Sequence, residues 1–320
     1  RIASTLEEHL SNLREAQSIA RDLGDPLALF WSSIWVSNEA TRAGFFDEAE
    51  AATQEAFSIA DSVPQPMLAW VSAQTKVGTA LLRGDLEGIE QLAEECLAIG
   101  TESGQPDAFI TYGSQLTAIR HQQGRLGELS ELISQFVDEA PDVPVFKAVL
   151  ATGNLDDGDL DFARKVVEEV AAEGFDLDEH VAWSTAMANY AEVAVELRLA
   201  SAVPTLLERF EPLSHQLVSN GLTHRDAADT WLGGLCGVLG RYEEAEARFI
   251  AAGEFCARGA LRYSETQNQL YWGRMLLQRK AAGDVERGRE LLLRARATAT
   301  EKGYALVEKR ATAALDAGGL

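Results

Sequence analysis

Apolar residues recur along this chain at i, i+4 and i+7, the spacing of one helix face. Seven of the helical stretches follow a recognisable start: "GFFDEA" at Gly44, "GDLEGI" at Gly84, "GRLGEL" at Gly124, "GDLDFA" at Gly158, "SAVPTL" at Ser201, "GRYEEA" at Gly240 and "GDVERG" at Gly283. A truncated copy is placed at Ser4. Successive starts lie 40, 40, 40, 34, 43, 39 and 43 residues apart. Five, nine and twelve residues past each start stand triads such as Ile89/Ala93/Cys96, Leu129/Ile133/Phe136, Ala163/Val167/Val170 and Ala245/Phe249/Ala252. A second helix precedes each turn, as in "LALFWSSIWVSNEATRA" or "AFITYGSQLTAIRHQQ". The glycine between them is expected to cap that helix in the left-handed region.

Proline punctuates the same pattern. Pro26, Pro64, Pro66, Pro106, Pro141 and Pro144 fall between units. Pro204 suits a first helical turn. Pro212 falls inside a predicted helix and is expected to kink or break it. No strand alternation, linker or low-complexity stretch stands out, so residues 1–320 are read as a single continuous domain. Such units bury their apolar faces only by stacking. The expected fold is therefore all-α: a right-handed α-α superhelix of about seven antiparallel helix pairs plus a partial N-terminal pair.

The "GRYEEAEARFIAA" copy resembles the tetratricopeptide motif, with Ala245, Phe249 and Ala252 matching its second helix and Leu232-Gly233 its first. The motif's usual tryptophan, tyrosine and closing proline are displaced, and most units exceed its period of about 34 residues. The array thus looks like a tetratricopeptide-like solenoid with lengthened helices. Over most of the chain, "SGQPDAF", "GGLCGVLGRYEEAEARF", "YWGRMLLQR" and "EKGYALVEKRA" resemble the C-terminal helical region of large actinobacterial signal-transducing ATPases. Proteins of that kind carry an adenylate or guanylate cyclase domain or a LuxR-type DNA-binding end. The resemblance implies that the chain is a fragment of a longer multidomain protein; its start at Arg1, without methionine, is read the same way. It carries over no catalytic residue.

The formal charge of −22 argues against nucleic acid and anionic membranes as partners. Cys96, Cys236 and Cys256 share no metal or redox spacing and read as small buried hydrophobes in a reducing cytoplasm. The longest uncharged run, Trp231 to Gly240, is about half of the roughly 20 residues that a membrane span needs. There is no phosphate-loop motif, no HExxH, and no nucleophile elbow. "NLDDGDLD" lacks the ligand spacing of a calcium loop. No catalytic residue, cofactor or metal is expected in this segment.

An interaction surface is the expected function. In solenoids of this kind the helix before the turn lines the concave face. The resemblance places partner contacts ten and six residues before the turn glycine. The first set includes Gln74, Ser114 and Thr230, and the second includes Asn38, Gly78 and Ala118. Trp35 and Trp231 share the position nine before the turn, as groove anchors or as core filling. Arg120-His121 is a polar groove feature or a pair facing the helix's negative end. The remaining cations, Arg42, Arg198 and Arg274, are scattered.

Together these readings describe a non-catalytic regulatory scaffold. It would bind a protein or peptide partner, or an effector, on its concave face and control attached ATPase, cyclase or transcription-regulator modules. The alternative is a small-molecule inducer domain, by analogy with the maltose-regulon activator type. A self-association module and an α-helical enzyme are further readings.

Overall fold

The computed structural model describes residues 5–140, 143–177 and 181–317; Ser4 and Pro141 lie outside them. It contains sixteen α-helices among those residues: α1 (Leu6–Leu23), α2 (Pro26–Ala43), α3 (Phe46–Ser62), α4 (Pro66–Arg83), α5 (Ile89–Glu102), α6 (Ala108–Gln123), α7 (Ser130–Glu139), α8 (Pro144–Asp157), α9 (Leu160–Ala172), α10 (Trp183–Glu196), α11 (Val203–Phe210), α12 (Ala228–Val238), α13 (Tyr242–Gly259), α14 (Arg262–Arg279), α15 (Asp284–Lys302) and α16 (Ala305–Ala317). Consecutive helices pack on one another except α6 and α7, and the even-numbered ones from α4 to α6 and from α8 to α16 also touch their even-numbered neighbours. The even-numbered helices therefore form an inner layer. This is an α-helical superhelix.

Local chemistry explains the boundaries. The Asp25 carboxylate accepts from Leu27 N at 3.0 Å and Ala28 N at 3.1 Å, and Pro26 occupies the first helical position of α2. Side-chain acceptors satisfy amides that have no partner within the helix. At the other end Gly44, Gly84, Gly124 and Gly158 cap α2, α4, α6 and α8 in the left-handed region, as expected. The unit without glycine differs. There Arg198 takes φ 52°, and α10 ends five residues ahead of the Ser201 start. In the Gly84, Gly158 and Gly240 units the triads are core: Ile89, Ala93, Cys96, Ala163, Val167, Val170, Ala245, Phe249 and Ala252 are all buried, whereas in Leu129/Ile133/Phe136 only Ile133 is.

Two features depart from a plain solenoid. The first lies at Pro212, where α11 ends and a short 3₁₀ turn, Glu211–Leu213, follows. No strand was expected, yet a hairpin comes next, β1 (Leu217–Ser219) antiparallel to β2 (His224–Ala227). Its turn is built on Asn220-Gly221, with Gly221 at φ 84° and the Asn220 side-chain oxygen accepting from Leu222 N and Thr223 N. The second is closure. The last helices return to the first: α14 touches α4, and α16 touches α6. Tyr304 Oη donates to the Gly84 carbonyl at 2.7 Å, and the Phe46 and Phe255 rings meet edge to face. The hairpin runs through the interior so enclosed, with β1 against α2 and α10 and β2 against α4 and α14.

Candidate functional site

The unit starting at Gly124 is the shortest, and its outer helix α7 has only ten residues. Helix α7 packs on α8, but α6 meets this unit mainly through the 3₁₀ turn Leu126–Leu129. A cavity of about 660 Å³ opens between α6, α7, α8 and the hairpin. That volume is in the range of small-molecule sites. The repeat's own packing residues Leu129, Ile133 and Phe136 line it, with Phe136 still 40% exposed. Phe109 and Ile110, at the start of α6, are 70% and 68% exposed and also line it. The equivalent triads Ile89/Ala93/Cys96 and Ala163/Val167/Val170 are buried, whereas Leu129 and Phe136 are left at the cavity.

The hairpin forms the opposite wall through Asn220, Leu222, Thr223, His224 and Arg225. It is held from several sides. Asn38 Nδ2 donates to the Gly221 carbonyl at 2.9 Å, and Asn220 Nδ2 donates to Ser114 Oγ at 2.9 Å. Ser184 Oγ donates to the Ser219 carbonyl at 2.6 Å, and Arg42 reaches Gln216 Oε1. Helix α4 passes so close that a Cβ on Gly78 would stand 3.1 Å from the Leu222 carbonyl oxygen.

The inner end of the cavity abuts a buried ionic cluster. Glu192 on α10 is fully buried; its carboxylate accepts from Arg225 Nη2 at 3.0 Å and from Arg310 Nη1 at 2.9 Å. His121 Nε2 lies 3.0 Å from both Glu192 Oε2 and Arg225 Nη2. With the proton on Nε2, His121 donates to Glu192 while Nδ1 accepts from Tyr263 Oη at 3.3 Å; that hydroxyl in turn accepts from Gln267 Nε2. Burial alone would raise the Glu192 pKa, but His121, Arg310 and Arg225 outweigh it and hold the carboxyl well below the usual range. Burial raises the pKa of Asp226 against the pull of Arg225. Trp231 Nε1 donates to Asp226 Oδ2 at 3.2 Å.

Three polar atoms of cavity-lining residues have no hydrogen-bond partner among the described residues: Gln122 Oε1, His224 Nε2 and Arg225 Nε. Burial pushes His224 down to about 4, with Arg42 pushing the same way against a hydrogen bond to the Asn38 backbone. Its stabilising contribution is therefore complete above the unfolded value of about 6.5 and is lost as pH falls toward 4. Asp156, pushed up to about 6 by burial, works in the opposite sense: it takes up its proton first in the folded state, so acidification through pH 6 favours the fold. Urea titrations should show His224→Gln losing about 2 kcal/mol less stability than wild type between pH 7 and pH 5. Equal losses would remove the buried histidine from the balance.

The expected contact residues divide between locations. Asn38, Ser114 and His121 converge on the hairpin. Trp35, 38% exposed, lines a small cleft with Val181, Trp183 and Gly221. Gln74 is half-buried on α4. Thr230 and Trp231 are fully buried, and Thr230 Oγ1 donates to Asn268 Oδ1. Arg198 is exposed in the turn after α10, away from the cavity wall. The repeat spacing did not point to the hairpin residues, Arg225 or the α7 face. The Asn220-Gly221 dipeptide was the available signal for the first.

Among the described residues no cluster of three His, Cys, Asp or Glu side chains could hold a metal, and no helix is long and apolar enough to cross a membrane. All three cysteines are buried and free, and burial pushes Cys236 and Cys256 up to about 12, leaving little thiolate at neutral pH. Neither a scan against protein-family models nor a comparison with curated proteins returns a match for this chain.

Proposed function

We propose that this chain is a non-catalytic sensor domain that binds a small, largely apolar effector in the cavity between α6, α7, α8 and the hairpin. One observation carries the reading. The chain's own hairpin occupies the interior where a peptide partner would lie, while an apolar cavity beside it stays open to exposed aromatic residues. The hairpin makes such a site consequential, because it bonds to α2, α6 and α10 at once. An effector resting on Asn220 and Leu222 would favour one placement of those walls over another, a population shift that a neighbouring module can read. The sequence resemblance suggests an ATPase, cyclase or transcription-regulator module in that role.

Gly113 provides the test. It lines the cavity, and a Cβ there would meet nothing within 4 Å, so a large side chain fills the space without displacing the core. The neutral fluorophore N-phenyl-1-naphthylamine should bind wild type saturably, with a negative heat-capacity change. Gly113→Trp should weaken that binding about ten-fold or more, since each 1.4 kcal/mol of lost burial is a factor of ten. Absence of saturable binding to wild type, or equal binding by the variant, removes the reading.

A protein partner remains a second reading for one reason. Trp31 and Trp35, one helical turn apart on α2, are both 38% exposed. Paired Trp→Ala changes there would abolish capture of such a partner and leave fluorophore binding intact.

A further inference from the structure

We infer that the cavity selects an elongated, uncharged amphiphile, a long-chain alcohol or amide, over a fatty acid anion or an alkyl ammonium ion. This rests on the sensor reading above and specifies its ligand.

The shape comes from α6. Phe109 and Gln122 both line the cavity and are thirteen residues apart, so the lined edge runs about 20 Å along that helix. The two ends differ. At the outer end stand Phe109, Ile110, Leu132 and Phe136, all partly in solvent. At the inner end stand Gln122 and Arg225. A ligand matching this gradient has an extended apolar body and one polar end.

The charge of that polar end follows from the lining. In a chain with 50 acidic residues, no Asp, Glu or Lys lines the cavity among the described residues. The fixed charge that does, Arg225, is already committed: Nη2 bonds to Glu192 at 3.0 Å and to Asp226 at 3.4 Å. An anionic head would have to compete with two internal carboxylates for that guanidinium. A cationic head would meet the same guanidinium with no carboxylate among the described lining residues to answer it. Either ion would lose its hydration without a free partner, and unpaired burial of a charge is the costliest case.

The orphaned atoms point the same way. Gln122 Oε1 and Arg225 Nε have no partner among the described residues, yet both are closed off from solvent, and Gln122 Nε2 is already given to the Leu81 carbonyl at 2.9 Å, so neither is free to pair with a charged head. A hydroxyl or an amide is neutral and needs no counter-charge at this end. A carboxylate or an ammonium needs a counter-charge, and the one fixed charge among the described lining residues, Arg225, is already paired.

Displacement of N-phenyl-1-naphthylamine from the full chain by 1-decanol, decanoate and decylammonium tests this at constant chain length. Decanol should displace the fluorophore at a concentration about ten-fold or more below either ion. That preference should vanish in Gly113→Trp, or in Gly113→Leu if the tryptophan variant does not fold. Decanoate or decylammonium displacing as well as decanol overturns the ligand class and leaves the sensor reading standing. Failure of the fluorophore itself to bind overturns both.

Discussion

Replacing Glu192 with alanine should cost about 3–5 kcal/mol of stability, the range for breaking one side of a buried ion pair. The carboxylate has no access to solvent, and it receives Arg225, Arg310 and His121 at once. Its removal leaves two buried guanidinium groups with Asp226, Asp156 and Glu196 as their carboxylate partners. Burial already raises the pKa of Asp226 and Asp156, so they are poor substitutes for a carboxylate that the cluster holds firmly ionised. The exposed pair Arg294–Glu290 is the reference, and Glu290→Ala should cost well under 1 kcal/mol. Equilibrium denaturation of both variants checks the contrast. A Glu192→Ala protein as stable as the Glu290→Ala one would show that the cluster adds nothing net to the fold.

The second large effect is expected at Gly84. This residue sits at φ 72°, and a Cβ would fall 2.2 Å from Tyr304 Oη and 3.0 Å from the Tyr263 backbone nitrogen. Alanine there adds left-handed strain of about 1 kcal/mol. It also overpacks a junction that joins the fourth helix to the fourteenth and sixteenth, at about 1–3 kcal/mol. If Tyr304 is driven off, its buried hydroxyl loses the Gly84 carbonyl as well. About 3 kcal/mol in total is expected. Gly24 is the matched control: φ is 65° and nothing lies within 4 Å of its Cβ, so Gly24→Ala should show the strain alone. Thermal or urea melts of the two variants separate the close approach from the backbone preference. Equal effects would mean that the junction yields freely.

Much of this architecture can be read in the residues, because each turn and each packing face is local. Gly44, Gly84, Gly124 and Gly158 cap helices for reasons contained in four or five neighbouring positions. The triads of the Gly84, Gly158 and Gly240 units bury because a helix has one face. The break at Pro212 follows from a missing amide. The hairpin after it was less legible. "LVSNGLTHRDA" carries an Asn-Gly turn, but only three and four residues pair around it, too few to register as alternation beside long helices. Closure was not legible at all, since Tyr304 and Gly84 are 220 positions apart and nothing near either residue announces the other.

The candidate site divides along the same line. Asn38, Ser114 and His121 all reach the hairpin, so what they meet is a segment of the same chain. Thr230 shares its repeat position with Ser114 and Trp231 shares its own with Trp35, yet both are fully buried, because the inner layer is covered there by α14 and the hairpin. Counting residues back from a turn selects a direction. Whether that direction leads to solvent depends on elements far along the chain.

An open array of repeats can gain or lose a unit by duplication or deletion, because each unit answers only to its neighbours. Here the last units are fitted against the turns of the first, at Gly44 by Phe255, at Gly84 by Tyr304 and at Gly124 by Leu306. A unit added or removed between them would shift every one of those fits by a whole repeat. The number of units is therefore fixed by geometry, and lineages of this chain should vary in loop length and surface while keeping their repeat count.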